Sequence, residues 1–337
     1  MTERMPGTQA WLDQVKEEIL DPERPIVDPH HHLWRSPSGN NYLLEDLWAD
    51  TGSGHNIIKT VFIECGASYR KEGLEHLRPV GETEFVAEIA AESAKGGKGR
   101  AEIAAIVAHA DLRLGDRVEE VIHAHEEAGK GLFRGIRHAG PRDEDRSVAA
   151  MRRRAPEDLY ANKDFRQGVK VLGRLGLTYD TWHFHHQNPA FRDLARAVPE
   201  TTMILDHFGT PLGVGPYRDK REEIFQQWKK DIAEIAECEN VVAKLGGLAM
   251  PNNGFGWNTR DIPPTSDEFI AAQQRYYMHT LECFGPERCM FESNFPVDKL
   301  SLSYPVLWNA FKKMVKDLSE DEKDALFQGT ATRVYRL

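Results

Sequence analysis

Eight short apolar, β-branched runs, each followed by a stretch with helical spacing, recur along the 337 residues of the chain. They span residues 26–30, 60–64, 102–108, 133–137, 177–181, 202–205, 241–245 and 289–293. A run of this composition reads as a buried strand, and strands that alternate with helices read as a parallel sheet. Eight such units predict an α/β fold, a single (β/α)8 TIM barrel. An open doubly wound sheet is the runner-up, but no Gly-x-Gly-x-x-Gly follows the first strand. Helical periodicity is clear over 84–95, 117–128, 164–174, 189–197 and 221–237. Thr265-x-x-Glu268 and Ser319-x-x-Glu322 are capping boxes, in which hydroxyl and carboxylate each take a backbone N–H at a helix start. Residues 1–24 form an N-terminal helical extension to a barrel over 25–337. Its amphipathic segment 11–20 is expected to plug the barrel floor or pack on a neighbour. The irregular stretches 140–161 and 251–264 follow strands and should rise over the top face, where substrate loops belong.

The formal charge of −10 is spread without a basic stripe, which excludes nucleic acid as an expected partner. Arg152-Arg153-Arg154 is short and reads as a solvated loop. The four cysteines form no C-x-x-C pair, no secretory leader precedes them, and no apolar run approaches the ~20 residues of a membrane span. A cytoplasmic protein with reduced thiols and a small-molecule substrate is expected. The oligomeric state is open, a homo-oligomer included.

Chemistry concentrates at the strand ends. Asp28-Pro29-His30-His31-His32-Leu33-Trp34 closes the first strand, and alternation puts Asp28, His30 and His32 on one face with His31 on the other. Further ends carry Glu64, Arg137-His138, Asp206-His207, Lys244 and the run Glu292-Ser293-Asn294-Phe295-Pro296-Val297-Asp298. A lone strand-end histidine is most often a hydrogen-bonded structural residue, and Glu64 has an equally plain role capping a helix. Polar ends on most strands of one barrel instead describe a single rim and a functional cleft. His183, His185 and His186 surround Trp182 after the fifth strand, as loop imidazoles or as a further substrate contact. Trp257 is either a lid or a loop-packing residue.

Together, Asp28-Pro29-His30-His31-His32-Leu33-Trp34, Arg134-Gly135-Ile136-Arg137-His138, Asp206-His207-Phe208-Gly209 and Ser293-Asn294-Phe295-Pro296 resemble the amidohydrolase superfamily. The closest likeness is to its amidohydrolase-related (amidohydrolase 2) branch of lactonases, and it extends from about Pro25 to Leu337. The resemblance implies active-site roles for His30, His32 and His207, with the strand-eight acid aligning on Asn294. Members show Ser-Asp-aromatic-Pro there. Asparagine has the shape of aspartate but cannot take a proton. Asp298 or Glu64 is therefore the expected base. Glu292 shares strand parity with Asn294 but should lie deeper in the barrel.

Arg137, with a fork suited to carboxylates, is an expected substrate contact, as are His138, Trp182 and Lys244. His30, His32, Glu64 and His207 would suit one zinc-like divalent ion with an open position. Metal-free polarisation of the carbonyl by the histidines and arginine is the alternative that the lactonase branch implies. Arg137 repels a second cation, and no organic cofactor is expected. The expected reaction is hydrolytic opening of a carboxylated or sugar-acid lactone. The rivals are a metal-dependent decarboxylase of an aromatic acid and a non-catalytic barrel that binds a small acid.

Overall fold

Side chains alternate across the strands of the computed structural model, which describes residues 5–145, 148 and 154–337. Val27, Val61, Ile63, Ala105, Val107, Ile204, Val242 and Met290 meet in one buried cluster inside the sheet. Their neighbours Ile26, Phe62, Ile106, Leu205 and Phe291 turn outward to the helices. This two-residue period buries both faces of every strand, as a barrel ringed by helices requires. Full burial of each such side chain contributes roughly 1.5–3 kcal/mol.

The strands are β1 (Pro25–His31), β2 (Asn56–Ile63), β3 (Glu102–Ala108), β4 (Phe133–Arg137), β5 (Thr178–Thr181), β6 (Met203–Leu205), β7 (Val241–Leu245) and β8 (Cys289–Phe291). All pair in parallel, in sequence order. The end of β8 returns to β1: Asn294 N donates to His30 O at 3.0 Å and His32 N to Phe295 O at 2.9 Å. The fold is a single (β/α)8 TIM barrel.

Helices α1 (Gln9–Leu12), α2 (Leu44–Thr51), α3 (Val80–Ser93), α4 (Val118–Ala128), α5 (Lys163–Arg174), α6 (Asn188–Ala197), α7 (Arg221–Ala236), α8 (Ser266–Phe284), α9 (Tyr304–Met314), α10 (Glu320–Asp324) and α11 (Thr330–Tyr335) surround it. Both capping boxes form, at the starts of α8 and α10. Among the described residues no helix is long and apolar enough to cross a membrane. All four cysteines are free thiols.

Three expectations need correction. The segment 11–20 is helical only to Leu12, because tertiary bonds outcompete local helix. Glu17 accepts from Ser266 N and Oγ, while Leu20 N donates to Asn309 Oδ1. The segment therefore packs on α8 and α9, and the floor is closed by α11, whose Val334 and Tyr335 join the interior cluster. Asp28 does not share a face with His30. A register irregularity between Asp28 and His31 turns Asp28 outward, where it accepts from Tyr304 Oη at 2.9 Å and Ser293 N at 2.9 Å. In the stretch 140–161, residues 146–147 and 149–153 lie outside the described residues, Arg152 and Arg153 among them, while Arg154 pairs with Glu144 at 2.7 Å. Trp257 is buried between Phe255 and Phe269, a packing residue of its loop.

Candidate active site

The irregularity in β1 aims His30 and His32 together into the mouth of the barrel, with ring centroids 4.9 Å apart. His31 faces the other way, toward Thr60 and Phe62. His32 Nδ1 lies 2.8 Å from Ile63 O. A carbonyl oxygen only accepts, so Nδ1 carries the proton and Nε2 a lone pair. Burial, reinforced by Arg137, holds the His32 ring neutral, well below its usual pKa.

His207 arrives on a strained turn. His207, Phe208 and Thr210 all adopt left-handed backbone, with φ of 54°, 58° and 39°, a conformation that costs an L-residue roughly 1–2 kcal/mol. Such outliers persist where the surroundings fix them, and they concentrate at functional sites. Here the surroundings include Gly246-Gly247 after β7. A Cβ on Gly247 would sit 2.1 Å from His207 Nδ1, and one on Gly246 would sit 2.4 Å from Glu292 Cγ. The double glycine is thus the space that His207 and Glu292 occupy.

Glu292 completes the group. Its Oε1 accepts from His207 Nδ1 at 2.6 Å, and its Oε2 lies 2.7 Å from His30 Nδ1. The second contact is short but misaligned, and Oε2 makes no hydrogen bond although fully buried. The His30 and His207 rings are 4.5 Å apart. Among the described residues, only His30, His207 and Glu292 bring three potential ligand atoms of His, Cys, Asp or Glu within 4.8 Å of one another. Two neutral imidazoles and a carboxylate with an unsatisfied oxygen fit one divalent ion with an open coordination position. Burial pushes the Glu292 carboxyl up to about 8 against the pull of Lys244, and pushes His207 down to about 3.

Below this group lies a fully buried charge network. Lys244 Nζ is 2.8 Å from Asp180 Oδ2, 3.2 Å from Asp206 Oδ1 and 3.3 Å from His30 Nδ1. Burial opposes its charge, but Asp180 and Asp206 outweigh burial and keep it protonated. Arg137 donates through Nε to Glu64 Oε1 at 2.9 Å and through Nη2 to Glu64 O, and its Nη1 is 3.4 Å from His30 Nε2 and 3.5 Å from Asp206 Oδ2.

The structure therefore brings His30, His32, His207, Arg137 and Lys244 together and adds Glu292 at their centre. Glu64, an expected ligand, faces Arg137 instead of the three-donor group. Asp298, an expected base, accepts from Asn294 Nδ2 at 2.9 Å and Ala249 N at 3.2 Å, and burial drives its carboxyl far up. His138 Nδ1 accepts from Leu112 N, and Trp182 Nε1 donates to Thr210 Oγ1. His183 is a buried partner of Asn188 and Tyr160, and His185 accepts from Leu212 N. Sequence reasoning passed over Asp180 and underrated Glu292. The signals available were strand parity and the adjacent pair of small residues, Gly246-Gly247.

A closed barrel with a buried His–His–carboxylate group at the carboxyl ends of β1, β6 and β8 defines an enzyme scaffold of the hydrolase and lyase kind. The chain belongs to the amidohydrolase family, whose model matches residues 27–337. It is 33% identical over 333 residues to "Uncharacterized protein y4mH" of Sinorhizobium fredii, covering 93% of this chain and 98% of that one. It is 27% identical over 326 residues to L-fucono-1,5-lactonase of Burkholderia multivorans, covering 92% of this chain and 96% of the relative. A crystal structure of an amidohydrolase from Burkholderia multivorans with bound zinc shares the fold at a TM-score of 0.71 and 24% identity, over 93% of this chain and 100% of that one.

Proposed function

We propose that the protein opens a neutral, polyhydroxylated sugar-acid lactone by hydrolysis. The convergence of His30, His207 and the unsatisfied Glu292 Oε2 carries this reading. A divalent ion held by these three residues would supply Lewis-acid polarisation of the lactone carbonyl. His32 Nε2, the lone-pair nitrogen, accepts the proton of the attacking water and returns it to the ring oxygen as the acyl C–O bond breaks. Arg137 Nη1, whose contacts to His30 and Asp206 are long, steadies the oxyanion that forms. Asn294 and Asp298, bonded to each other, hold the loop after β8. Arg137 and Lys244 are both paired with internal carboxylates, which favours a neutral lactone over a carboxylated one. The fucono-lactonase relative points the same way.

The test is acid release from a panel of aldonolactones and carboxylated lactones, with the metal content of the protein measured alongside. Expected is turnover of aldonolactones that is lost on dialysis against a chelator and regained with Zn²⁺. His207→Ala should lower it by about 10²-fold or more. Metal-loaded protein that opens no lactone, or that instead releases CO₂ from a hydroxybenzoate, sinks the reading.

A further inference from the structure

The floor of the barrel reaches the active site through one hydroxyl. Tyr335, at the end of α11, is fully buried among the inward side chains of the strands. Its backbone is fixed from outside, because Arg134 Nε donates to Tyr335 O at 2.8 Å and Arg336 donates to Gly176 O. Its side chain rises past the apolar layer, and Oη donates to Asp180 Oδ2 at 2.6 Å. That same oxygen accepts from Lys244 Nζ at 2.8 Å. The ammonium also lies 5.4 Å from the centroid of the Tyr335 ring, within cation–π range.

Packing alone does not require this hydroxyl. A phenylalanine would fill the same apolar volume, and a buried polar group costs free energy unless it is hydrogen-bonded. The hydroxyl instead settles where the ammonium stands. Lys244 donates to Asp180 Oδ2, pairs by charge with Asp206, whose Oδ1 lies 3.2 Å away without a hydrogen bond, and faces His30 Nδ1 at 3.3 Å. The two carboxylates draw Nζ away from the neutral ring. Tyr335 Oη occupies part of the Asp180 Oδ2 acceptor capacity and fixes that carboxylate, so the ammonium keeps its third contact.

We propose that Tyr335 is a positioning residue of the active site, its hydroxyl holding Lys244 against His30 through Asp180. His30 Nδ1 faces Lys244 Nζ on one side and Glu292 Oε2 on the other. Arg137 Nη1, which only donates, faces Nε2 at 3.4 Å and favours the ring proton on Nδ1 toward Glu292, whereas Lys244 favours it on Nε2, so the distance of Lys244 weighs on which ring nitrogen carries the proton. If Lys244 retreats, Nδ1 passes to Glu292, and His30 meets the group around Glu292 in a different tautomer. The consequence for turnover rests on the lactone reading; the consequence for His30 does not.

The test is Tyr335→Phe, which keeps the ring and removes the hydroxyl. Ring-¹⁵N NMR of histidine-labelled protein reads His30, assigned by the signals lost in His30→Gln. Expected are displaced His30 ring signals, a kcat about tenfold lower with KM within about twofold, and a Tm within about 3 °C of the parent, in the range found for residues that orient ligands. Asp180→Asn breaks the same link from its other end and should displace the same signals, which covers a Tyr335→Phe protein that fails to fold. Unmoved His30 signals in the folded variants overturn the proposal, as does a fall in Tm with His30 and kcat unchanged. Displaced signals in a protein whose parent opens no lactone leave the positioning role standing and remove the lactone reading.

Discussion

Acidification should unfold this protein steeply, and the slope follows from buried imidazoles remote from the catalytic group. Burial is the first cause holding His55, His125 and His183 down to about 4 and His185 down to about 3. Each is neutral in the folded protein and protonates near pH 6.5 once unfolded. A depressed folded pKa confers stability that is present above the unfolded value and lost as pH falls below it. Glu82 works the other way: burial, with Glu64 second, raises it to about 8. Its contribution is present below its unfolded pKa and lost as pH rises through 8, so over the acid range it offsets one histidine. Near pH 5.5 these five groups alone make the unfolded chain bind about 2.5 more protons than the folded one, a contribution to the slope of about 3–4 kcal/mol per pH unit. Between pH 6.5 and 4.5 the loss amounts to about 6 kcal/mol, which is comparable to the whole stability of a typical domain. Urea unfolding followed by tryptophan fluorescence at half-unit pH steps measures it. His125→Gln should reduce the slope by about 1.4 kcal/mol per pH unit. A stability that changes by less than about 1 kcal/mol per pH unit, or that rises on acidification, refutes the reasoning.

Three substitutions test the site's construction. Lys244→Met leaves Asp180 and Asp206 buried without their cation; it should cost about 3–5 kcal/mol and lower Tm in calorimetry by about 6–20 °C, whereas a Tm within about 2 °C of the parent would show that the network does not need its charge. Gly247→Ala drives a methyl group into His207 Nδ1 from a backbone with φ of 74°; kcat/KM should fall about 10²-fold or more, and a near-normal value would mean that His207 need not stand where it does. Asn294→Asp sets a second carboxylate against Asp298 Oδ1, which now accepts from the Asn294 amide at 2.9 Å; activity should not rise, and urea unfolding should show a loss of about 2–4 kcal/mol at pH 8 that shrinks at pH 5, where the pair shares a proton.

The barrel was legible because its determinants are local. β3, β4 and β7 fall where alternation and turn residues place them, and the two capping boxes mark the starts of α8 and α10. What escaped depends on partners distant in the chain. The segment after Leu12 has helical spacing, yet Ser266, Asn309 and Lys312 take its carboxylate and backbone groups into an irregular path. Asp28 has the parity of His30, yet a register irregularity decouples them. No one-dimensional pattern announces a shift that only the neighbouring strand imposes. The floor shows the same limit, since Tyr335 and Asp180 are 155 positions apart.

The strand-eight acid shows how a local reading goes astray at a site. Asn294 read alone is a base that has been lost, and the substitutes nearest to hand are Asp298, further along the loop, and Glu64, at the end of another strand. Both carboxylates are already engaged, one by Asn294 and Ala249, the other by Arg137. The carboxylate that stands among the histidines lies backward. Glu292 shares the inward parity of Asn294 and has one more methylene than aspartate, and Gly246 leaves its Cγ room to turn toward His30 and His207. Its depth in the barrel, which argued against it in the sequence, is what places it between the two imidazoles. Depth also explains its chemistry, since a carboxylate this far from water is tolerable only beside compensating charge, and Lys244 stands among the residues that supply it. Glutamate at this position, glycine opposite and lysine below therefore form one interdependent set, and a change in any one of them should be felt at His30 before it is felt in the fold.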